Sequence, residues 1–264
     1  MACILHIETS TQVCSVAVSQ DGAVIFHKED MEGPNHARIL GGFVDEALSF
    51  ADSHAIPFDA VAVSSGPGSY TGLRIGVSMA KGICYSRDLK LISVPTLKVM
   101  CVPLLLGEQI PEGALLCPMM DARRMEVYMA VYDRGLRPHV GNVGNVGNAE
   151  NFALVLDENS LSELLEEHEV YCFGNGAGKF REVQGVQEVQ GVQGVQGVQG
   201  VQEVQEVQGV QEVQEFKDGR LHFIGGIVPL AKNMMPLAEK KFLQEDFENV
   251  AYFEPFYLKE WNSK

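Results

Sequence analysis

The chain opens with short β-rich runs separated by turns. Cys3-Ile4-Leu5-His6-Ile7 is apolar and ends in the polar turn Glu8-Thr9-Ser10-Thr11. Cys14 to Ser19 and Ala23 to Lys28 are also β-rich. Gln20-Asp21-Gly22 between them predicts a hairpin, because Asp-Gly supplies the backbone conformation a tight turn needs. After the break at Gly33-Pro34-Asn35 the period changes. Leu40, Phe43, Val44, Ala47 and Leu48 recur at helical spacing, which predicts an amphipathic helix over 36–51 with Asn35 as its N-cap. Asp59 to Ser64 reads as a strand and Ser65 to Gly72 as a Gly-rich loop, and the helical period returns from Leu73 through Arg87. Leu91 to Val94 is a further strand stopped by Pro95, and Thr96 opens a helix reaching Leu106. The order β-β-β-α-β-α-β-α implies a mixed sheet, with an antiparallel hairpin first and parallel strands with crossover helices after it.

The second half has weaker patterning. Ala114 to Pro118 and Met125 to Tyr132 predict strands around a turn at Asp121-Ala122-Arg123-Arg124. Ser160-Leu161-Ser162-Glu163 is a capping box opening a helix to about His168. Val170 to Phe173 is a strand leading into the loop Gly174-Asn175-Gly176-Ala177-Gly178, and Asn233 to Gln244 is a last helix. Between Val183 and Glu215 the chain consists of consecutive triplets of Val-Gln-Gly or Val-Gln-Glu, and a smaller Gly-Asn-Val tandem starts at Gly141. A period of three fits neither a helix face nor a pleat, so the valines cannot gather on one surface. The array therefore reads as a solvated, mobile, low-complexity insertion.

Composition narrows the function classes. With 264 residues the chain holds one large domain or two modest ones, and 46% hydrophobic residues suffice for a substantial core. The 20 Lys and Arg against 35 Asp and Glu give a net charge of −15. So acidic a chain is not a stand-alone nucleic-acid binder, although a partner could supply the positive surface RNA requires. The 6 cysteines form no C-x-x-C pair and lie in apolar runs, which predicts reduced, buried thiols and a cytoplasmic location. The N-terminus lacks a basic signal-peptide region, and no apolar run reaches the roughly 18 residues of a membrane span.

The strongest local motif is Ser65-Gly66-Pro67-Gly68-Ser69-Tyr70-Thr71-Gly72-Leu73-Arg74-Ile75-Gly76, a strand end, a Gly-rich turn and a helix start. Exposed amides at such a helix start can hold an anion, with Ser69 and Thr71 adding hydroxyls, and a tight turn that needs glycine geometry fits equally well. Neither a Walker A sequence nor a nucleophile elbow is present. Glu8-Thr9-Ser10 at a strand end could bind phosphate or simply close a turn. Gly72, Gly76 and Ala80 form a small-residue face that could meet either the chain's own sheet or a helix of another chain. Gly174-Asn175-Gly176-Ala177-Gly178-Lys179-Phe180 imitates a phosphate loop, but Phe180 stands where Ser or Thr is needed. The 7 histidines show no H-x-x-x-H spacing, since Leu40 follows His36 by four, and no metal site is expected.

Together, the opening strand with Glu8-Thr9-Ser10 and the Ser65–Gly76 motif resemble the TsaB family, also called YeaZ. Asn35-His36-Ala37-Arg38, Ser93-Val94-Pro95-Thr96-Leu97, the Asp121–Tyr128 turn and Glu254-Pro255-Phe256-Tyr257-Leu258-Lys259 extend the resemblance. It covers residues 1–130 well and the remainder patchily. It implies an α/β chain with the actin-like ATPase (ribonuclease H-like) fold, in two similar lobes of mixed sheets flanked by helices. The N-terminal lobe would span 1–107 and a smaller C-terminal lobe 108–264, with the triplet insertion at 183–215.

The resemblance also implies a function. Such a protein would be a non-catalytic scaffold or activating subunit of the complex that forms threonylcarbamoyladenosine beside the tRNA anticodon. It would pair with a TsaD-type catalytic paralogue and a TsaE-type ATPase, form a homodimer when alone, and meet tRNA only indirectly, without a membrane. The catalytic paralogue carries an H-x-x-x-H metal motif, which His36 and Leu40 break here. The implied partner interface uses His36, Leu40, Phe43, Val44 and Ala47 on one helix, and Gly72, Leu73, Gly76 and Ala80 on the next. Glu8, Thr9, Ser10, Gly66, Pro67, Gly68, Ser69 and Thr71 would be a degenerate phosphate loop. No intrinsic cofactor or catalytic residue is expected, and ATP or ADP at the junction with a partner stays open. The competing readings are a glycoprotease-like or ATP-dependent transferase enzyme, and a sugar or acetate kinase of the same fold.

Overall fold

A computed structural model describes residues 2–33, 35–107, 110–139, 150–185, 211–216 and 219–258. The Gly-Asn-Val tandem at 141–149 and most of the triplet array, 186–210, lie outside the described residues.

Strand β1 (Cys3–Glu8) is buried along its whole length, which is why it reads as a continuous apolar run. It pairs antiparallel with β2 (Cys14–Gln20), which pairs antiparallel with β3 (Ala23–Asp30). On its other side it pairs parallel with β4 (Ala60–Ser64), which pairs parallel with β5 (Lys90–Val94). The sheet order is β3-β2-β1-β4-β5. Helices α1 (His36–Ser53) and α2 (Tyr70–Arg87) are the links on either side of β4. Both press their apolar stripes on one sheet face, where Leu40, Val44, Ala47, Val77 and Ala80 meet Leu5, Ile7, Val16, Val61 and Val63.

The second sheet repeats this plan. Strand β6 (Leu115–Asp121) is antiparallel to β7 (Glu126–Met129), and β7 to β8 (Phe152–Val155). Strand β9 (Val170–Phe173) runs parallel to β6, and β11 (Leu221–Gly225) parallel to β9. Strand β10 (Gln211–Phe216) adds an antiparallel edge on β11. Two mixed sheets with the same strand order and directions, flanked by helices, make the actin-like, ribonuclease H-like fold in two lobes. Helices α4 (Ser162–Glu167) and α5 (Ala177–Val183) place Leu164, Ala177 and Phe180 on one face of the second sheet.

Helix α3 (Thr96–Gly107) joins the sheets. Leu97, Met100, Cys101 and Leu104 pack on the second sheet, while Val99 packs with Ile4, Ala62 and Ile92 of the first. Apolar residues nearly all round the helix are what burial on two sides requires. In return, a 3-10 turn (Ala231–Met234) and α6 (Met235–Leu243) cover the first sheet's other face with Ala231, Met234 and Ala238. The expected boundary between 107 and 108 thus falls between α3 and β6, and a segment from each side crosses it.

Several local expectations are corrected. Asn35 makes no side-chain cap, because its φ of −104° and ψ of 13° are not the extended backbone from which a cap side chain reaches the first free amides. Ser160 is not a capping-box residue: its hydroxyl accepts from the Asp157 amide at 2.9 Å and donates to Asp157 Oδ1 at 3.0 Å, and the helix starts at Ser162. The last triplets are not wholly loop, since 211–216 form β10. An edge strand needs only backbone pairing to its neighbour, a need the triplet period does not obstruct. The predicted last helix is split into the 3-10 turn and α6, with Pro236 in the first turn of α6. The 6 cysteines are free and buried.

His6 lies in the middle of the first sheet, fully buried, with Nε2 2.7 Å from Ser19 Oγ. Burial disfavours its charged form and pushes its imidazole down to about 3. Between that value and the unfolded one, near 6.5, only the unfolded chain takes up the proton. Stability contributed by neutral His6 is therefore present above pH ~6.5 and lost as pH falls towards 3. The expected loss is about 2 kcal/mol between pH 7 and pH 5. Urea unfolding of the wild type and His6→Gln at both pH values checks this: the wild type alone should lose that stability, and an equal loss in both proteins would show that His6 is not the cause.

Candidate functional site

The two motifs singled out in the sequence meet at the end of β1. Glu8, Thr9 and Ser10 are fully buried there. Glu8 Oε1 accepts the Ser10 amide at 2.6 Å. Burial pushes the Glu8 carboxyl above its ordinary range, while hydrogen bonds from Ser10 and Ser64 pull the other way. Thr9 Oγ1 donates to the Gly72 carbonyl at 2.8 Å, and the Ser69 amide donates to the Ser10 carbonyl at 2.6 Å. Ser69 is the N-cap of α2, its hydroxyl accepting from the Gly72 amide at 3.2 Å.

The glycines of this loop serve contact with the chain itself. A Cβ on Gly68 would run into the Ser10 carbonyl oxygen, one on Gly72 into the Thr9 carbonyl oxygen, and one on Gly76 into Thr9 Oγ1. On its other side the loop meets the C-terminal segment. The Phe256 amide donates to the Ser65 carbonyl at 2.7 Å, and a Cβ on Gly66 would lie 2.5 Å from the Phe256 carbonyl oxygen. Pro67 follows a cis peptide bond. The groups read as a degenerate phosphate loop are thus packed on one another.

The second lobe has the same design. Gly174, with φ of +98°, and Gly176 allow the loop after β9 to lie on Met119 and Met120 at the end of β6. Lys179 Nζ is 2.7 Å from Asp121 Oδ1 and 3.3 Å from the Glu126 carbonyl. Burial alone would raise the Asp121 carboxyl, but Lys179 and the Arg123 amide outweigh it and hold it below the ordinary range.

The residues assigned from sequence to a partner interface face inward. Leu40, Val44, Ala47, Leu73 and Ala80 are core residues of the first lobe, Gly72 and Gly76 lie on Thr9, and Phe43 is half-buried against the same core. His36 is buried with Nε2 3.1 Å from the Val13 carbonyl. The physical reason is simple: the apolar stripe of an amphipathic helix marks the side buried on its own sheet.

The outward side of α2, met by Ala37 of α1, instead borders an open groove of about 830 Å³, lined by residues that include Thr71, Ser78, Met79 and Gly82. Gly41 and Gly42 on α1 and Gly82 on α2 are exposed, and a Cβ at any of them would meet nothing within 4 Å. An interior helix glycine costs about 1 kcal/mol relative to alanine. Among the described residues, no contact accounts for these three. The signal in the sequence was Ala37 with Gly41 and Ser78 with Gly82, small residues four apart on the polar-looking sides of both helices.

Comparison with known proteins gives two kinds of match. A family model described as TsaD, tRNA N6-adenosine threonylcarbamoyltransferase, matches residues 31–144. The tRNA threonylcarbamoyladenosine biosynthesis protein TsaB of Escherichia coli (strain K12) is 38% identical over 132 residues, which is 50% of this chain and 55% of that protein. The protein of the same name from Bacillus subtilis (strain 168) is 32% identical over 129 residues, 49% of this chain and 54% of that one. The chain thus spans about half the length of the curated relatives it matches. YeaZ from Pseudomonas aeruginosa has a solved structure that superimposes with a TM-score of 0.65 at 18% identity, covering 98% of this chain and 100% of that chain. A second structure from that organism, described as similar to peptidase YeaZ, gives a TM-score of 0.69 at 19% identity, with the same coverage.

Glycine substitutions separate the two uses of small residues. Gly72→Ala should lower stability by about 3 kcal/mol or more, since backbone must move to make room. Gly82→Ala should raise it by about 0.5–1 kcal/mol. Thermal unfolding of both variants checks the pair, and similar shifts for both would show that the close contact at Thr9 is wrongly placed. Over its first half the chain is therefore similar to TsaB proteins, and over its whole length it has the fold of the YeaZ structures.

Proposed function

We propose that this chain is a non-catalytic scaffold subunit in the biosynthesis of threonylcarbamoyladenosine in tRNA. It docks a TsaD-type catalytic paralogue through the groove between α1 and α2. The observation that carries the reading is the groove itself: a shallow, largely apolar surface along α2 that includes the exposed Gly82, where an added Cβ would meet nothing within 4 Å among the described residues. Small residues let two helix pairs approach closely, and a helix pair of a chain with the same fold has the shape to fill the groove.

The chemistry of the buried motifs supports a scaffold over an enzyme. The position of the second metal-binding histidine is Leu40, which is part of the core, and His36 is tied to the Val13 carbonyl. Both strand-end loops are filled by the chain's own backbone, and Lys179 is held by Asp121. A TsaE-type ATPase would join the pair in the cytoplasm, with ATP or ADP bound at the junction and tRNA reached through the complex. Without the paralogue, the groove would be covered by a second copy.

An enzyme in its own right is the second reading, favoured by the match of residues 31–144 to a transferase family. Gly82→Leu distinguishes the two. The site is open, so folding should persist, while the leucine blocks close helix approach. Pairing with the paralogue should weaken at least about ten-fold by calorimetry, and tRNA modification by the reconstituted set should fall with it. Unchanged pairing removes the docking reading. Threonylcarbamoyl transfer to tRNA by the isolated chain removes the scaffold reading.

A further inference from the structure

The motif that links β4 to α2 contains one exposed charged side chain, Arg74, that the chain holds on only one face and one edge. Arg74 is exposed on the outer side of α2 and is the one charged residue among the described residues lining the groove. Its guanidinium carbon stands 4.2 Å from the centre of the Tyr70 ring. Its Nε donates to the Tyr257 hydroxyl at 3.4 Å, and the Tyr70 and Tyr257 rings are 4.8 Å apart. Tyr257 belongs to a C-terminal strap that is itself fixed along α2. Lys81 Nζ donates to the Ala251 and Phe253 carbonyls, each at 3.1 Å, and the Phe256 amide donates to Ser65. One face and one edge of the guanidinium are therefore held by the chain, which leaves the Nη1–Nη2 edge for another molecule. Among the described residues Arg74 forms no ion pair; Glu254 of the strap lies close enough to act on its charge but does not contact it.

We propose that Arg74 is the charged anchor of the groove and receives a carboxylate from an Asp or Glu on the docking helix of the paralogous partner. The inference rests on the docking reading above and names its specificity determinant. A guanidinium offers a planar fork that matches a carboxylate in bidentate fashion, and holding it in advance on Tyr70 and Tyr257 lowers the ordering cost at association. The rest of the described lining is uncharged, so the groove fits a helix whose facing side is small or apolar and carries a single acid. A nucleic-acid phosphate backbone would require several cations, and this surface offers one. A second copy of the chain is a poorer occupant, because each copy has a net charge of −15. Tyr257 acts through Arg74 as a positioning residue, which gives the C-terminal strap a role in recognition.

The test is calorimetric affinity of the full chain for the TsaD-type paralogue at low and high salt. Arg74→Ala should weaken pairing about ten-fold or more and flatten its salt dependence. Arg74→Lys should recover only part of the loss, and Tyr257→Phe should fall between wild type and Arg74→Ala with the salt dependence kept. Arg74→Glu should be restored by one Asp or Glu→Lys change in a scan of the partner's first two helices. Unchanged thermal unfolding controls for folding. If Arg74→Ala leaves affinity and salt dependence unaltered while Gly82→Leu abolishes pairing, the anchor is refuted and the docking reading stands. If Gly82→Leu also has no effect, both fall. Loss of self-association or of tRNA binding with paralogue affinity intact would equally overturn the proposal.

Discussion

Gly68 and Gly72 let the loop before α2 lie directly on Thr9 and Ser10 at the end of β1. The contact is sealed by the bonds from Thr9 to Gly72 and from Ser69 to Ser10. It fixes the start of α2 against the middle strand of the first sheet, and with it the direction of the whole helix. Tyr70 and Arg74 follow within the first turns, so their place on the surface depends on a backbone approach that only glycine permits. The outer groove inherits its shape from this buried junction.

Each sheet of a fold of this kind has a crevice at the ends of its parallel strands, where loops and helix starts bring amides together. In this chain both crevices are closed from within. Glycines bring the loop after β4 onto Thr9 and Ser10, and the loop after β9 onto Met119 and Met120. The duplication of the sheet plan is thus matched by a duplication of the closing device. What differs is the outside, where the first lobe presents two long helices and the second only the short α4 and α5.

The first lobe could be read from the chain almost element by element, because every strand there is a short apolar run ended by a turn and both helices have strong apolar stripes. The same stripe explains why the residues expected at a partner interface are buried instead. The stripe of Leu40, Val44, Ala47 and Ala80 was visible because it belongs to the core, whereas the small residues Ala37, Gly41, Ser78 and Gly82 look like ordinary helix surface. Arg74 lay within the recognised motif, yet its clamp comes from Tyr257, far away in the sequence. Strand β8 has no Gly or Pro directly at either end to mark it, whereas β11 did carry a signal, lying between Asp218-Gly219 and Gly225-Gly226 beside the triplet array. Strand β10 was missed because its pairing uses backbone groups, which carry no sequence signal.

The exchange of segments between the lobes has a consequence for biosynthesis. The first sheet's second face is covered by Ala231, Met234 and Ala238, and its outer helix is strapped by residues 249–257. On the ribosome, the first lobe therefore emerges with one face of its sheet bare and stays so until residues 231–238 have been synthesised. That face and the outer side of α2 are both closed by segments made after the second sheet, so the first lobe cannot reach its full packing before the second has been synthesised.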